Sequence, residues 1–154
     1  MFNKTQLWVV FLILASSASM WAQQPVPSCS VTISLTSDNV KTGSPIIVKA
    51  MVSNITKHTV TLAHEMGHRA EYEFKVIVRD TDGNLAPMTR NGHRFWRDDA
   101  DRIGDWIDES LEPGKSVIEH VDLGELYDLK PGVYRVQLSQ GDLLSNIISL
   151  TVVP

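Results

Sequence analysis

The stretch Leu111–Gln140, LEPGKSVIEHVDLGELYDLKPGVYRVQLSQ, constrains the fold of this chain more than any other. It holds two Pro-Gly pairs, Pro113-Gly114 and Pro131-Gly132, each followed by a run in which apolar and polar residues alternate. Proline presets one turn dihedral and glycine admits the positive φ that its neighbour position needs, so each pair reads as a turn. Alternation with period two is the mark of a strand that buries one face. Two turn-then-strand units in thirty residues leave no room for a helical frame, and the rest of the chain is read within an all-β one.

The upstream segments fit that frame. Ser30–Thr36 sets Val31, Ile33 and Leu35 against Thr32, Ser34 and Thr36, and Ile46–Ile55 is β-branched and apolar, as a central strand is. Thr59–Leu62 alternates, and Glu71–Arg79 puts Tyr72, Phe74, Val76 and Val78 on one face. That strand runs into Asp82-Gly83, a hairpin-turn pair. Leu85–Ile103 carries Pro87, Asn91-Gly92 and a mixed-charge cluster, and reads as a long loop with one helical turn. Strands are expected again from Trp106 to Leu111, Val117 to Leu123, Val133 to Leu138 and Asn146 to Val153. Gly124–Leu129 reads as a connecting turn, and Gln140-Gly141-Asp142 as a tight one. About seven to eight short strands, with turns every eight to twelve residues, predict an immunoglobulin-like two-sheet antiparallel sandwich.

Residues 1–22 are read apart from that domain. Lys4 precedes an apolar run, Leu7–Ala15, and small residues close the stretch, the layout of a secretory signal peptide cleaved after Ala22. The run is too short to span a bilayer, although retention as an anchor is the alternative. Residues 23–29 form an extended, Pro-rich lead-in, and 30–154 the sandwich. Without Lys4 the chain has 13 bases against 18 acids, a charge of −5 with histidines neutral. A chain of that charge with no basic stripe along its sequence is not expected to bind nucleic acid. Cys29 is the one cysteine, so no internal disulfide can form. The localisation expected is secreted or periplasmic.

Leu129–Val136, LKPGVYRV, resembles the corner of immunoglobulin-like and fibronectin-type domains, where a tyrosine ties its hydroxyl back to the preceding loop. Tyr134 is the matching residue. The wider pattern is Leu-x-Pro-Gly-x-Ser, Val-Asp-Leu, Leu-Tyr-Asp-Leu and Pro-Gly-x-Tyr-x-Val-Gln. It is similar to secreted bacterial immunoglobulin-like domains and to the non-catalytic β-domain of deuterolysin-type metallopeptidases. It also resembles, more loosely, bacterial proteinase inhibitor domains. The resemblance implies a binding or accessory module, with an extracellular or periplasmic protein or glycan as partner, and names no ligand.

A second feature pulls the other way. His64-Glu65-Met66-Gly67-His68 has zinc-peptidase spacing: on a helix, His64 and His68 share a face and can chelate one zinc ion, with Glu65 as general base. Strand-like flanks leave about eight residues for a helix that normally needs three or four turns. No third ligand is marked, since Glu71 and Phe74 stand where a metzincin has Gly and His, and Asp98, Asp99 and Glu109 are undistinguished acids. The favoured reading is therefore no cofactor and a polar loop, with a minimal zinc metallopeptidase as the alternative.

Other candidates are weaker. Asp80–Asn84 lacks the acids of a calcium loop and reads as a turn. Asp98, Asp99, Asp101, Asp105 and Asp108, interleaved with Arg94, Arg97 and Arg102, read as a solvated face. Asn54-Ile55-Thr56 matches a glycosylation acceptor, of consequence only in a glycosylating host. Phe95 and Trp96, in a polar loop, are the expected exposed aromatics and the candidate binding residues, while Trp106 is assigned to the core. No nucleophilic triad or phosphate-cradling loop can be assembled. The expectation is a secreted, non-enzymatic binding module working through Leu85–Ile103, because long loops on rigid sandwiches carry function, with a proteinase inhibitor-like domain as a second alternative.

Overall fold

A computed structural model describes residues 27–65, 74–96 and 106–154, with backbone alone for 63–65 and 106–107. The leader, Tyr72, Met66-Gly67-His68, Arg97, Arg102, and the acids Asp98, Asp99, Asp101 and Asp105 lie outside the described residues, as does the Trp106 side chain. The rest is an all-β sandwich of immunoglobulin-like topology. One sheet has the order β1 (Cys29–Leu35), β3 (Ile47–Asn54), β7 (Ser116–Asp122), all antiparallel. The facing sheet has the order β2 (Asn39–Lys41), β10 (Ile148–Val153), β8 (Gly132–Gln140), β5 (Lys75–Arg79), with β9 (Leu143–Leu144) also on β8. β2 runs parallel to β10, so the first strand crosses from one sheet to the other within a few residues.

The alternation read from sequence is the alternation that packs. Val31 and Ile33 on β1, Val48, Ala50 and Val52 on β3, and Val121 on β7 turn inward. They meet Phe74, Val76, Val78, Val136, Leu138, Leu150 and Val152 from the other sheet. Several of these side chains are fully buried, and each contributes about 1.5–3 kcal/mol in transfer from water.

A third ribbon, β4 (Val60–Glu65) with β6 (Trp106–Leu111), extends the β3–β7 pair past the sandwich. Along β3–β7, Ile47 faces Asp122 and Ser53 faces Ser116; along β4–β6, Val60 faces Leu111. Six residues on one side thus oppose four on the other at the junction. Asn54 fills the gap. It is 2% exposed, and its Nδ2 donates to the carbonyls of His58 (2.7 Å) and Leu111 (2.8 Å). Its Oδ1 accepts from Thr56 N and Oγ1, both at 2.8 Å. The Asn54-Ile55-Thr56 match is therefore a structural clamp, with both amide hydrogens committed and no room for a glycan.

Each open side of the sandwich has its own closure. On the β1 side, Ile33 N donates to Asn146 Oδ1 (2.7 Å) and Asn146 Nδ2 returns a bond to Ile33 O (3.1 Å). One amide thereby blunts an edge strand. On the β5 side, Tyr127 is 2% exposed and its hydroxyl donates to Val76 O at 2.7 Å, while Ala86 N donates to Val78 O at 2.9 Å. At the corner entering β8, the Tyr134 hydroxyl donates to Lys130 O, four residues upstream, at 2.9 Å.

Candidate functional site

The segment after β5 does not wander. From Met88 it is fastened to the 123–128 segment, where a helical turn, α2 (Leu123–Leu126), stands in the stretch that the sequence read as a plain turn. Asp122 caps α2 by accepting from Gly124 N at 2.9 Å. Leu123, Leu126, Tyr127 and Leu129 all sink into the core, which no periodicity announced because a single helical turn is too short to repeat.

Onto α2 docks a second short helix, α1 (Arg90–Phe95). Thr89 is its N-cap, with Oγ1 accepting from Gly92 N at 3.0 Å and donating to Glu125 O. Thr89 N donates to Leu126 O at 2.9 Å, Asp128 N to Pro87 O at 2.9 Å, and Met88 bridges to Tyr127. Gly92 makes the approach possible. A Cβ there would lie 2.0 Å from Leu126 O, inside any tolerable contact. Asn91-Gly92, a turn signal in the sequence, thus serves helix-to-helix contact instead.

Docking by Gly92 and Phe95 fixes which face of α1 looks outward. Arg90, Asn91, His93 and Arg94 are exposed. At about 100° per residue, Arg90, His93 and Arg94 fall within one arc of about 100°. Beside them Lys75 Nζ lies 4.5 Å from the centroid of the Trp96 ring. The buried Trp96 Nε1 lies near enough to the Tyr127 hydroxyl to influence it, without meeting hydrogen-bond geometry. Burial pushes the Tyr127 hydroxyl up to about 12, against the opposing pull of the Val78 N–H, the Trp96 side chain and the Arg79 charge.

Phe95 and Trp96 are half-buried, not the freely exposed pair expected of a polar loop. The physical reason is that α1 turns them back toward the sandwich: Phe95 packs against the core cluster and Trp96 lies beneath Lys75. What reaches solvent is the basic arc. Its signal was present in the sequence as bases at i, i+3 and i+4 after a Thr N-cap, but the neighbouring acids obscured it. Among the described residues, Arg94 meets no carboxylate.

The zinc-site alternative requires a helix through His64 and Glu65. Their backbone is instead strand, paired with Ile107 and Trp106 of β6. The β4–β6 ladder takes the main-chain hydrogen bonds that a helix would use. Among the described residues no group of three His, Cys, Asp or Glu side chains could hold a metal ion. Asp80 Oδ1 accepts from Asp82 N (3.0 Å) and Asn84 N (2.9 Å), closing the turn on itself. Cys29 is buried at the start of β1, and burial raises its thiol pKa.

Two depressions stand out among the described residues. An open groove of about 960 Å³ has apolar walls from Val31, Ile55, Leu62, Leu143 and Leu144. A smaller one of about 400 Å³ lies between Thr42–Ile46 and Asp122–Leu129.

No family model matches the chain, and no curated protein matches it. Among solved structures, a β-glucosidase from Erythrobacter marinus aligns with TM-score 0.47 and 14% identity, over 82% of this chain and 15% of that one. The CARDB domain of a Pyrococcus furiosus protein in complex with di-metal ions aligns with TM-score 0.45 and 14% identity, over 82% and 89%. A β-glucosidase from Listeria innocua in complex with glucose aligns with TM-score 0.43 and 12% identity, over 82% and 16%. The chain thus spans about a sixth of the β-glucosidases it aligns with. The likeness is one of fold outline.

Proposed function

We propose that this chain is a secreted or periplasmic, non-enzymatic binding or accessory module whose working surface is the outward face of α1 and its surroundings. The observation that carries the reading is the fastening of α1. Main-chain bonds from Thr89 and Asp128, and the Gly92 contact, hold an otherwise marginal six-residue helix in one pose. Rigid presentation of a short, polar, basic element on a sandwich is what a recognition surface needs and what core stability does not. The leader-like N-terminus supports export, and the partner is an extracellular or periplasmic protein or glycan. Phe95 and Trp96 belong to this surface as its inner support.

The test uses exposed positions, because replacing half-buried Phe95 or Trp96 would also disturb packing. A photo-crosslinking residue is installed at Arg94 and, separately, at Thr32 on the outer face of β1, in the producing organism. One discrete adduct from position 94 and none from position 32 is the expected result. No adduct from either, or equal adducts from both, would remove this surface from the account. Purified protein that carries stoichiometric zinc and cleaves casein, with Glu65→Gln abolishing cleavage, would replace the reading altogether.

A further inference from the structure

We infer that the partner met by α1 is an acidic protein segment, gripped through its carboxylates by Arg90, His93 and Arg94; this rests on the binding-module reading above. Three observations carry it. First, the three side chains are exposed within one arc, and among the described residues none has a carboxylate partner.

Second, Arg90 breaks a local rule. It opens α1, and the first turn contains no acid. The N-terminal end of a helix carries partial positive charge, which disfavours a cation there. His93 and Arg94, in the last turn, suit the helix dipole and need no other explanation. Arg90 does not, and residues that break a local rule without a structural gain concentrate at functional sites. In a chain of net charge −4, a base-only helix face runs against the background.

Third, the neighbouring aromatic is occupied. Lys75 covers the Trp96 ring at 4.5 Å, and Trp96 is half-buried. A sugar-binding platform needs a free ring face, so the geometry favours carboxylates over a glycan. Arginine guanidinium groups take carboxylates in paired, fork-like bonds, and two of them one turn apart fit acids spaced along a peptide.

The probe is poly-L-glutamate, titrated into the folded chain while backbone amide NMR signals are followed, with alginate as a carboxylated polysaccharide in parallel. The expected result is saturable shifts confined to α1 and Lys75, fading as ionic strength rises from about 0.05 to about 0.5 M. Arg90→Glu/Arg94→Glu weakens binding at least about tenfold. Lys41→Glu/Lys57→Glu, which changes net charge equally at exposed positions elsewhere, leaves it within about twofold. Loss to the same degree in both variants would mean attraction to net charge alone and overturn the inference. So would absent shifts, or alginate binding as well as poly-L-glutamate. Concentration-dependent shifts without probe would assign the face to a second copy. A crosslink at position 94 that survives Arg90→Glu would sink the acidic partner while sparing the binding module.

Discussion

Asn54→Ala should destabilise the domain by about 2–4 kcal/mol, and the structure shows where that comes from. Four hydrogen bonds converge on one side chain at the junction of the β3–β7 and β4–β6 ribbons. His58 O keeps a second donor, Thr56 Oγ1, at 2.8 Å, so its loss is small. Leu111 O accepts from Asn54 Nδ2 at 2.8 Å beside a residue 5% exposed, and losing a donor to a buried carbonyl costs about 1–3 kcal/mol. Thr56 N loses its acceptor, for about 1 kcal/mol more, whereas the single Thr56 hydroxyl hydrogen turns wholly to His58 O. With a urea dependence of roughly 2 kcal/mol/M, tryptophan fluorescence would show a midpoint lower by about 1–2 M. Asn54→Asp sharpens the test. Its second oxygen would face two carbonyl oxygens, which raises the folded-state pKa of the new carboxyl. A raised pKa gives stability that is present when the proton is bound and lost as pH rises through the folded value. The deficit of Asn54→Asp against wild type should therefore be small near pH 4 and larger at pH 7. A midpoint shift below about 0.3 M for Asn54→Ala, or a pH-independent deficit for Asn54→Asp, would refute the clamp.

Three further outcomes follow from the same contacts. Tyr127→Phe removes the bond to Val76 O and should cost about 1–2 kcal/mol by urea unfolding. Because folding raises the Tyr127 pKa to about 12, its contribution is intact below pH 10 and lost as pH climbs toward 12. Wild type should thus lose stability over that window more steeply than Tyr127→Phe, and parallel curves would contradict the assignment. Tyr134→Phe should cost about 1 kcal/mol through Lys130 O, read as a lower melting temperature with no change in the far-UV spectrum. Gly92→Ala must push α1 away from Leu126 O, an overpacking cost of about 1–3 kcal/mol, and should speed amide exchange at Thr89 and His93 while the sheets stay protected.

The fold was legible where burial repeats. Val31–Leu35, Ile46–Val52, Phe74–Val78 and Tyr134–Leu138 each show several turns of a period-two pattern, and the structure packs those residues inward. It was not legible where one contact decides. β2 is three residues with one apolar side chain, Val40, and its parallel pairing with β10 leaves no local trace. The α2 turn buries Leu123, Leu126 and Tyr127 within less than one repeat of any helical pattern. The site suffers most from this. Phe95 and Trp96 looked like loop aromatics because nothing local tells a half-buried ring from a free one. Gly92 looked like a turn glycine because its close approach is to a carbonyl 34 residues away, Leu126 O. His64 and Glu65 spell part of a zinc motif, yet their backbone belongs to a ladder with β6 that only the tertiary structure supplies.

The central claim is that a fastened α1 is the surface that meets the partner. Gly92→Ala tests it most directly, since it loosens the helix without altering Arg90 or His93. The measurement is the yield of the adduct from a photo-crosslinker at position 94, compared between wild type and Gly92→Ala with both confirmed to unfold cooperatively. The account predicts a drop of about tenfold or more. An unchanged yield would contradict it.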